Sequence, residues 1–373
     1  MAPRGSRWAA APSASGSSAS SGKPSTSACR VGFSLPPVPR SPLRKQREYA
    51  CHHRAPPAFN SSRASVFPAD SETSRSLIPT LDLITLYPVK SLDGLSVPEA
   101  RVLASGALEN DRRWRLVDME GRVVNAKRSP LFHAIRAEFA LDERLVTLAI
   151  DPAAIAAAAI PGIDRLKNLR RESFHLVPSP DGPCGWLSEA LNIGVLLEER
   201  PDGGFPDDRD ARGPTLVSTA SLEEVARWFG FDLAESRRRF RANLEIGGCD
   251  PFWEDTLASP ARANRPPSLG ELPPELPLDP YADLPPLEPR EFSIGAARFL
   301  ATNVCKRCVV PSRDSRSAAV TAHFRDAFEA RRGRALRADV DASGWGHVYR
   351  LAVNTRLAGG TGSMIRRFVH VSG

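Results

Sequence analysis

Between Ser259 and Phe292 the chain carries ten prolines, among them the pairs Pro266-Pro267, Pro273-Pro274 and Pro285-Pro286. Each proline fixes φ and removes a backbone donor. No regular helix or sheet ladder can run through such a stretch, and extended polyproline segments are favoured. The fold must therefore be built from the residues on either side, with 259–292 as a surface insertion: a passive loop, or a docking segment for a partner.

Those flanking residues read as mainly β with a few helices, an α+β chain. Leu81-Asp82-Leu83 begins an alternation that runs to Tyr87, as in a half-buried strand. Trp114 to Val117, the turn Asp118-Met119-Glu120-Gly121 and Arg122 to Asn125 form a hairpin pattern. Asp151-Pro152 and the alanine run after it predict a short capped helix, stopped by Pro161-Gly162. Ser221-Leu222-Glu223-Glu224 has the form of a capping box, for a helix reaching Gly230. A further helix should hold Phe324 and Phe328 on one face and end near Gly333, and Val348 to Val353 should be a strand. No internal repeat is visible.

The 373 residues allow two domains. The formal charge of +7 suggests nucleic acid or a membrane until it is located. Residues 1–69 hold ten Lys/Arg and one acidic residue, Glu48; the other 304 residues hold forty basic and forty-two acidic. The excess belongs to the tail, and no basic and aromatic platform for single strands is present. The Ser-, Ala-, Arg- and Pro-rich tail has the composition of an organelle transit peptide, for a mitochondrion or chloroplast. The alternatives are a disordered tail or a misplaced start, with a cytoplasmic protein. No secretory apolar region follows the first arginines. The longest apolar run, Ala153 to Ile160, is eight residues, where a membrane span needs about 20. Six scattered cysteines are no disulfide scaffold and suggest a reducing compartment.

The chemistry concentrates in Cys305-Lys306-Arg307-Cys308 and the Val-Val-Pro-Ser-Arg-Asp that follows. A C-x-x-C serves zinc sites, redox dithiols, disulfides or soft-metal ligation. Structural zinc wants a second pair, but Cys29, Cys51, Cys184 and Cys249 stand singly. A thioredoxin-like pair should open a helix, whereas a proline and turn formers come next. Lys306 and Arg307 favour the thiolate, and a thiolate suits a soft or redox-active metal. Metal or cofactor ligation, a redox dithiol and structural cysteines all remain open on spacing alone. His133, His175, His323 and His347 sit in unrelated contexts, and no P-loop or dinucleotide glycine pattern appears.

The Cys305–Asp314 run resembles the cofactor-binding signature of MOSC-domain proteins. Three further segments resemble the same family in its order: Leu86-Tyr87-Pro88-Val89-Lys90-Ser91; Asn110-Asp111-Arg112-Arg113-Trp114 with Gly121 to Arg128; and Arg239-Phe240-Arg241-Ala242-Asn243-Leu244 with Phe252-Trp253-Glu254-Asp255. The resemblance spans about residues 80 to 370. It implies a tail over 1–79, an N-terminal MOSC β-barrel subdomain over 80–200, and a MOSC β-barrel domain over 201–373 that carries the insertion.

It also implies a molybdenum cofactor, an anionic pterin dithiolene with a terminal phosphate. Cys308 stands where the family's thiolate binds molybdenum, so it is both the metal ligand and the catalytic residue. Lys90 and Ser91 match a pair that binds the phosphate, and Arg112 reaches the same cofactor. Arg241 matches the arginine of a Phe-Arg-Pro-Asn motif, with Ala242 in place of proline, and Asn243 follows as a cofactor contact or a turn residue. Arg307 adjoins the ligand. Lys306 replaces a serine of the animal enzymes, so its backbone serves if its side chain does not. Cys305 is expected to be a bystander. Lys127 and Arg128 add charge near the mouth or end a solvated hairpin, and Asp207 or Asp208 is a supporting or a plain loop carboxylate.

Within the family, the chain resembles the amidoxime-reducing molybdenum enzymes and their bacterial counterparts. It implies an oxidoreductase that removes oxygen from N-hydroxylated or other N-oxygenated small molecules. Electrons would come from a separate donor: a b-type cytochrome, a ferredoxin or a flavoprotein. The animal enzymes carry a membrane anchor, and none is expected here. The alternative is a cofactor carrier or sulfur-transfer module with a Cys308 persulfide, as in the cofactor sulfurases. Those add a pyridoxal-phosphate domain, which the roughly 80 residues before Leu81 are expected to be too few to house.

Overall fold

A computed structural model describes residues 78–179, 181–258 and 290–372. The basic tail and nearly all of the proline-dense segment lie outside the described residues, and so do the expectations placed on them.

The first half is built of short strands. The alternation from Leu81 becomes β1 (Thr80–Leu86), which buries Leu81, Ile84 and Leu86. β2 (Leu95–Val97) and β3 (Glu99–Arg101) follow. The expected hairpin is β4 (Trp114–Asp118) and β5 (Val123–Val124). β6 (Ile135–Ala140) and β7 (Leu145–Ile150) pair in register, and β8 (Glu172–His175) adds to β7. Between β7 and β8 lies α1 (Pro152–Ala157), capped by the Asp151 carboxylate, which accepts from Ala153 N–H at 2.8 Å. This helix ends at Ala158 in the left-handed conformation, before Pro161-Gly162 is reached. α2 (Cys184–Leu191) and β9 (Val195–Glu199) complete the half, with β9 antiparallel to β4.

The second half begins with β10 (Leu216–Ser218) and α3 (Thr219–Phe229). The cap of α3 is Ser218, whose hydroxyl accepts from Ser221 N–H, so the helix opens three residues before the expected capping box. Ser221 instead turns inward, and its hydroxyl donates to buried Glu254. Gly230 ends α3 at φ 70°, a conformation glycine adopts without a side-chain penalty. α4 (Leu233–Phe240) leads through Arg241 into β11 (Leu244–Gly247). Then come β12 (Glu291–Ile294), β13 (Ala297–Lys306), α5 (Phe324–Arg334), β14 (Arg350–Gly359), β15 (Met364–Arg366) and β16 (Val371–Ser372). β14 starts two residues later and ends six residues later than the strand expected over Val348 to Val353.

The main sheet has the order β16-β12-β13-β14-β10-β11-β1-β2. The start of β1 also meets the segment that runs into β16: Leu81 N–H donates to Val369 O (2.9 Å), Phe368 N–H to Leu81 O (2.7 Å) and Val371 N–H to Pro79 O (2.9 Å). The ladder thereby closes into a barrel, which leaves no open edge between β1 and the C-terminal strands. Its filling includes Leu81, Ile84, Leu244, Phe299, Val304 and Val353. The fold is mainly β with a few helices, as expected. β1 and β2 lie in the sheet that β10 to β14 and β16 build, although they precede the smaller body in sequence.

That smaller body holds β5-β4-β9 and β6-β7-β8 around Val89, Trp114, Ile135, Leu187 and Leu197. A third core, of Phe240, Phe324, Phe328, Tyr349 and Leu351, packs α3, α4 and α5 against the barrel. Each such aromatic contributes about 1.5–3 kcal/mol on burial, which anchors the ends of α4 and β13.

Candidate functional site

The chain leaving β1, the stretch before β4, the end of α4 and the end of β13 meet around one cavity of about 820 Å³. Seven of the eight site residues expected from sequence line it: Lys90, Ser91, Arg112, Arg241, Lys306, Arg307 and Cys308. They come from positions more than 200 residues apart. The eighth, Asn243, is set behind them. Its carboxamide oxygen accepts from Arg112 Nη1 (3.0 Å) and from Thr215, and its nitrogen donates to Thr85 O and Asp111 Oδ1 (3.0 Å each). With its amide so engaged, Asn243 ties β1, β10 and β11 together and orients Arg112.

Three of these residues hold strained backbones. Ser91 (φ 76°), Arg112 (φ 48°) and Arg241 (φ 53°) are all left-handed. Non-glycine residues pay about 1–2 kcal/mol for this conformation, and such strain gathers where function requires it. Ser91 Oγ accepts from Ala126 N–H (3.1 Å), which joins the loop after β1 to the hairpin end. Lys127 of that hairpin end lines the cavity, while Arg128 turns away to Asp118 at 2.7 Å.

The cations differ in how they are compensated. Lys90 Nζ pairs with Asp207 Oδ1 at 2.7 Å and donates to Phe205 O, and Arg112 pairs with Asp111. Burial alone would raise the Asp207 carboxyl, but Lys90 and Arg112 hold it down at about 2. Gly204 (φ 59°) makes this arrangement possible. A Cβ there would lie 2.5 Å from Asp111 O, so only glycine lets the Asp207 loop run against the Arg112 backbone. Arg237, Arg238 and Arg239 also reach the cavity but spend their charge on Glu245 and Glu235.

Arg241 and Arg307 have no carboxylate partner among the described residues. The Arg241 guanidinium lies 4.1 Å from the centre of the Tyr87 ring, and that of Arg112 lies 5.2 Å from the same ring. Burial, with Arg112 nearby, pushes the Arg241 pKa down from its ordinary value. Arg307 donates to Phe240 O (3.1 Å) and Leu351 O, and its Nε is buried without a partner. Two half-buried guanidinium groups therefore face a cavity with their charge unanswered. Such a carboxylate-free guanidinium pair can bind an anionic group through charge-assisted hydrogen bonds.

The two thiols differ sharply. Cys308 is half-buried in the cavity wall. Cys305 is buried and donates to Asn354 Oδ1 at 2.8 Å, and burial pushes its pKa up to about 11. It is therefore a protonated thiol bonded to a protein partner. Among the described residues, no group of three or more His, Cys, Asp or Glu is placed to hold a metal ion.

Several wall residues escaped sequence reasoning. Tyr87 lies inside a quoted motif, yet nothing local marks it as a platform for two arginines. His133 shares no context with the other site residues but sits in the cavity wall. Burial, followed by Arg313, Arg136 and Arg241, pushes its pKa down to about 4, so the ring is neutral, and Nε2 is buried without a partner. Asn354 has no local signal at all. Asp111 does have one: it adjoins Arg112.

The β-rich first half of the described chain agrees with the comparison to known families. The model of the MOSC N-terminal beta barrel domain matches residues 78–192. Residues 78–192 are a MOSC N-terminal domain. The molybdenum cofactor sulfurase of Drosophila erecta is 27% identical over 202 residues, which cover 51% of this chain and 26% of that protein. The sulfurase of Caenorhabditis elegans is 24% identical over 196 residues, covering 50% and 27%. The mitochondrial amidoxime-reducing component 1 of Mus musculus is 25% identical over 204 residues, covering 48% and 58%. The chain thus spans about a quarter of the length of the sulfurases it matches. By name, the sulfurases act on the molybdenum cofactor and the murine protein reduces amidoximes. No helix among the described residues is long and apolar enough to cross a membrane.

Proposed function

We propose that this MOSC protein holds a molybdenum cofactor in its cavity and reduces N-oxygenated small molecules such as N-hydroxylated bases. The observation that carries the reading is the convergence of Cys308 with two half-buried guanidinium groups, Arg241 and Arg307, that have no carboxylate partner among the described residues. Cys308 would bind the metal as a thiolate. Lys90, Ser91 and Arg112 would take the phosphate, with Lys90 exchanging Asp207 for it. Arg241 would hold the pterin edge, and Arg307 would keep the Cys308 backbone in place while adding charge beside the thiolate. Lys306, exposed at the rim, would favour anionic groups at the mouth. The bound cofactor would supply the two electrons that remove oxygen from nitrogen. A separate donor, a b-type cytochrome, ferredoxin or flavoprotein, would restore them. The basic, acid-poor tail supports delivery to a mitochondrion or chloroplast, with the cytoplasm as the alternative.

The sulfurase relatives favour a second reading, in which Cys308 carries a persulfide for transfer to the cofactor. Metal analysis, pterin fluorescence and a persulfide assay on purified protein separate the two. The reductase reading expects stoichiometric molybdenum and turnover of benzamidoxime with a reduced viologen dye. Cys308→Ser should lose the metal, and Cys305→Ser, at a thiol already bonded to Asn354, should keep it. Persulfide on Cys308 without molybdenum would establish the second reading. Equal molybdenum in wild type and both variants would refute the ligand assignment.

A further inference from the structure

The turn that carries Cys308 is bonded twice to one residue outside it. Tyr349, just before β14, accepts from Arg307 N–H through its carbonyl (3.1 Å) and donates through its phenol to Cys308 O (3.1 Å). The dipeptide Arg307-Cys308 is thereby clamped at both ends, its first N–H and its last carbonyl. The clamp is itself held from behind. Tyr349 is 3% exposed. Its ring stands edge-on to Phe328 (5.1 Å, 82°) and to Phe324 (6.3 Å, 77°), both buried on α5. The Arg325 guanidinium lies 5.7 Å from the ring centre. A ring packed in this way has little freedom to swing, so its phenol fixes where the Cys308 carbonyl lies. Ring packing alone would not do this, because phenylalanine would leave that carbonyl without its donor.

We infer that Tyr349 is a positioning residue for Cys308, clamping the turn so that the thiol faces the cavity. A thiol that must meet a ligand from one side needs its backbone fixed, and α5 supplies the fixed point through the Tyr349 ring. The inference deepens the reading above and rests on Cys308 being its reactive thiol.

The test is Tyr349→Phe, which keeps the ring and removes the phenol. In cofactor-free protein, alkylation by iodoacetamide is followed by mass spectrometry after trypsin, which cuts at Lys306 and Arg307 between the two thiols. Cys308 is half-buried, and a loosened turn exposes it. It should react about fivefold faster in the variant, the factor that one neutral hydrogen bond is worth, while Cys305 reacts as in wild type. Leu222→Ala, on α3 in the same core, should melt lower without accelerating Cys308. An unchanged Cys308 rate in Tyr349→Phe overturns the inference, and so does equal acceleration by Leu222→Ala. Should Tyr349→Phe fail to fold, wild type decides by nuclear magnetic resonance: the Tyr349 hydroxyl proton should exchange slowly with water, and fast exchange overturns the clamp. Metal analysis keeps the cofactor reading separate. If wild type loads molybdenum and Tyr349→Phe leaves the Cys308 rate unchanged, Tyr349 is wrongly assigned and the cofactor reading stands. If wild type loads none but the variant accelerates Cys308, the cofactor reading falls and the positioning role stands.

Discussion

Replacing Arg241 with alanine should separate folding from binding. The Arg241 guanidinium stacks on Tyr87 at 4.1 Å, and its partners among the described residues include no carboxylate. Alanine removes a cation–π contact worth about 0.5–2 kcal/mol. It also removes a desolvated charge that shares one ring with Arg112 at 5.2 Å. The two effects oppose each other, and the left-handed backbone costs alanine what it costs arginine. The stability of cofactor-free protein should therefore change by about 1 kcal/mol or less, roughly 2–4 °C in a domain of this size. Cofactor affinity should fall much further. A charge-assisted bond to an anion is worth about 1.5–3 kcal/mol, which is about a ten- to hundredfold loss. The assay is a thermal melt of protein made without cofactor, followed by pterin retention of loaded protein on dialysis. Arg241→Lys, which keeps the charge and loses the planar fork, should fall between. The reasoning fails if Arg241→Ala melts more than about 10 °C lower while its folded fraction keeps all its pterin.

Two further expectations concern the polar layer under α5. Arg332 is fully buried and paired with Asp255, so Arg332→Leu should cost about 3–5 kcal/mol and Asp255→Asn/Arg332→Leu should recover much of it; an unmoved urea midpoint for the single variant would show that the pair contributes nothing. Burial, with Asp255 alongside, pushes the Glu254 carboxyl up to about 7 from 4.5. A carboxyl raised on folding binds its proton longer in the native state, so its contribution declines as pH rises from about 4.5 through 7. His133, pushed down to about 4 from 6.5, acts in the opposite sense between those values. Glu254→Gln should therefore gain on wild type from pH 5 to pH 8, by up to a few kcal/mol. A stability difference that is flat across this range would show that Glu254 is ionised throughout.

Much of the site was legible because its members sit in short runs with local chemistry. Lys90-Ser91, Arg112, Arg241 and Lys306-Arg307-Cys308 are each marked by their neighbours, and the structure brings all of them to one cavity. Asn243 was marked in the same way, but its carboxamide is taken up by Thr85, Asp111, Arg112 and Thr215. Adjacency to a site arginine told nothing about where its side chain would point. The capping box at Ser221 misled for a related reason. Ser218 three residues earlier offers the same hydroxyl, and buried Glu254, 33 residues away, claims Ser221.

The sequence by itself determined the local features: where strands alternate, where Asp151 caps a helix, and which residues carry charge or a thiol. These depend on backbone geometry and side-chain chemistry within a few positions. Only the tertiary structure decided which charges are spent. Arg239 and Arg241 are two residues apart and chemically identical, yet one is bound to Glu235 and the other lies open on Tyr87. Cys305 and Cys308 are likewise told apart by Asn354, which β14 brings to one of them from 49 residues away. Compensation of charge depends on distance through space, and the closure of the barrel sets those distances.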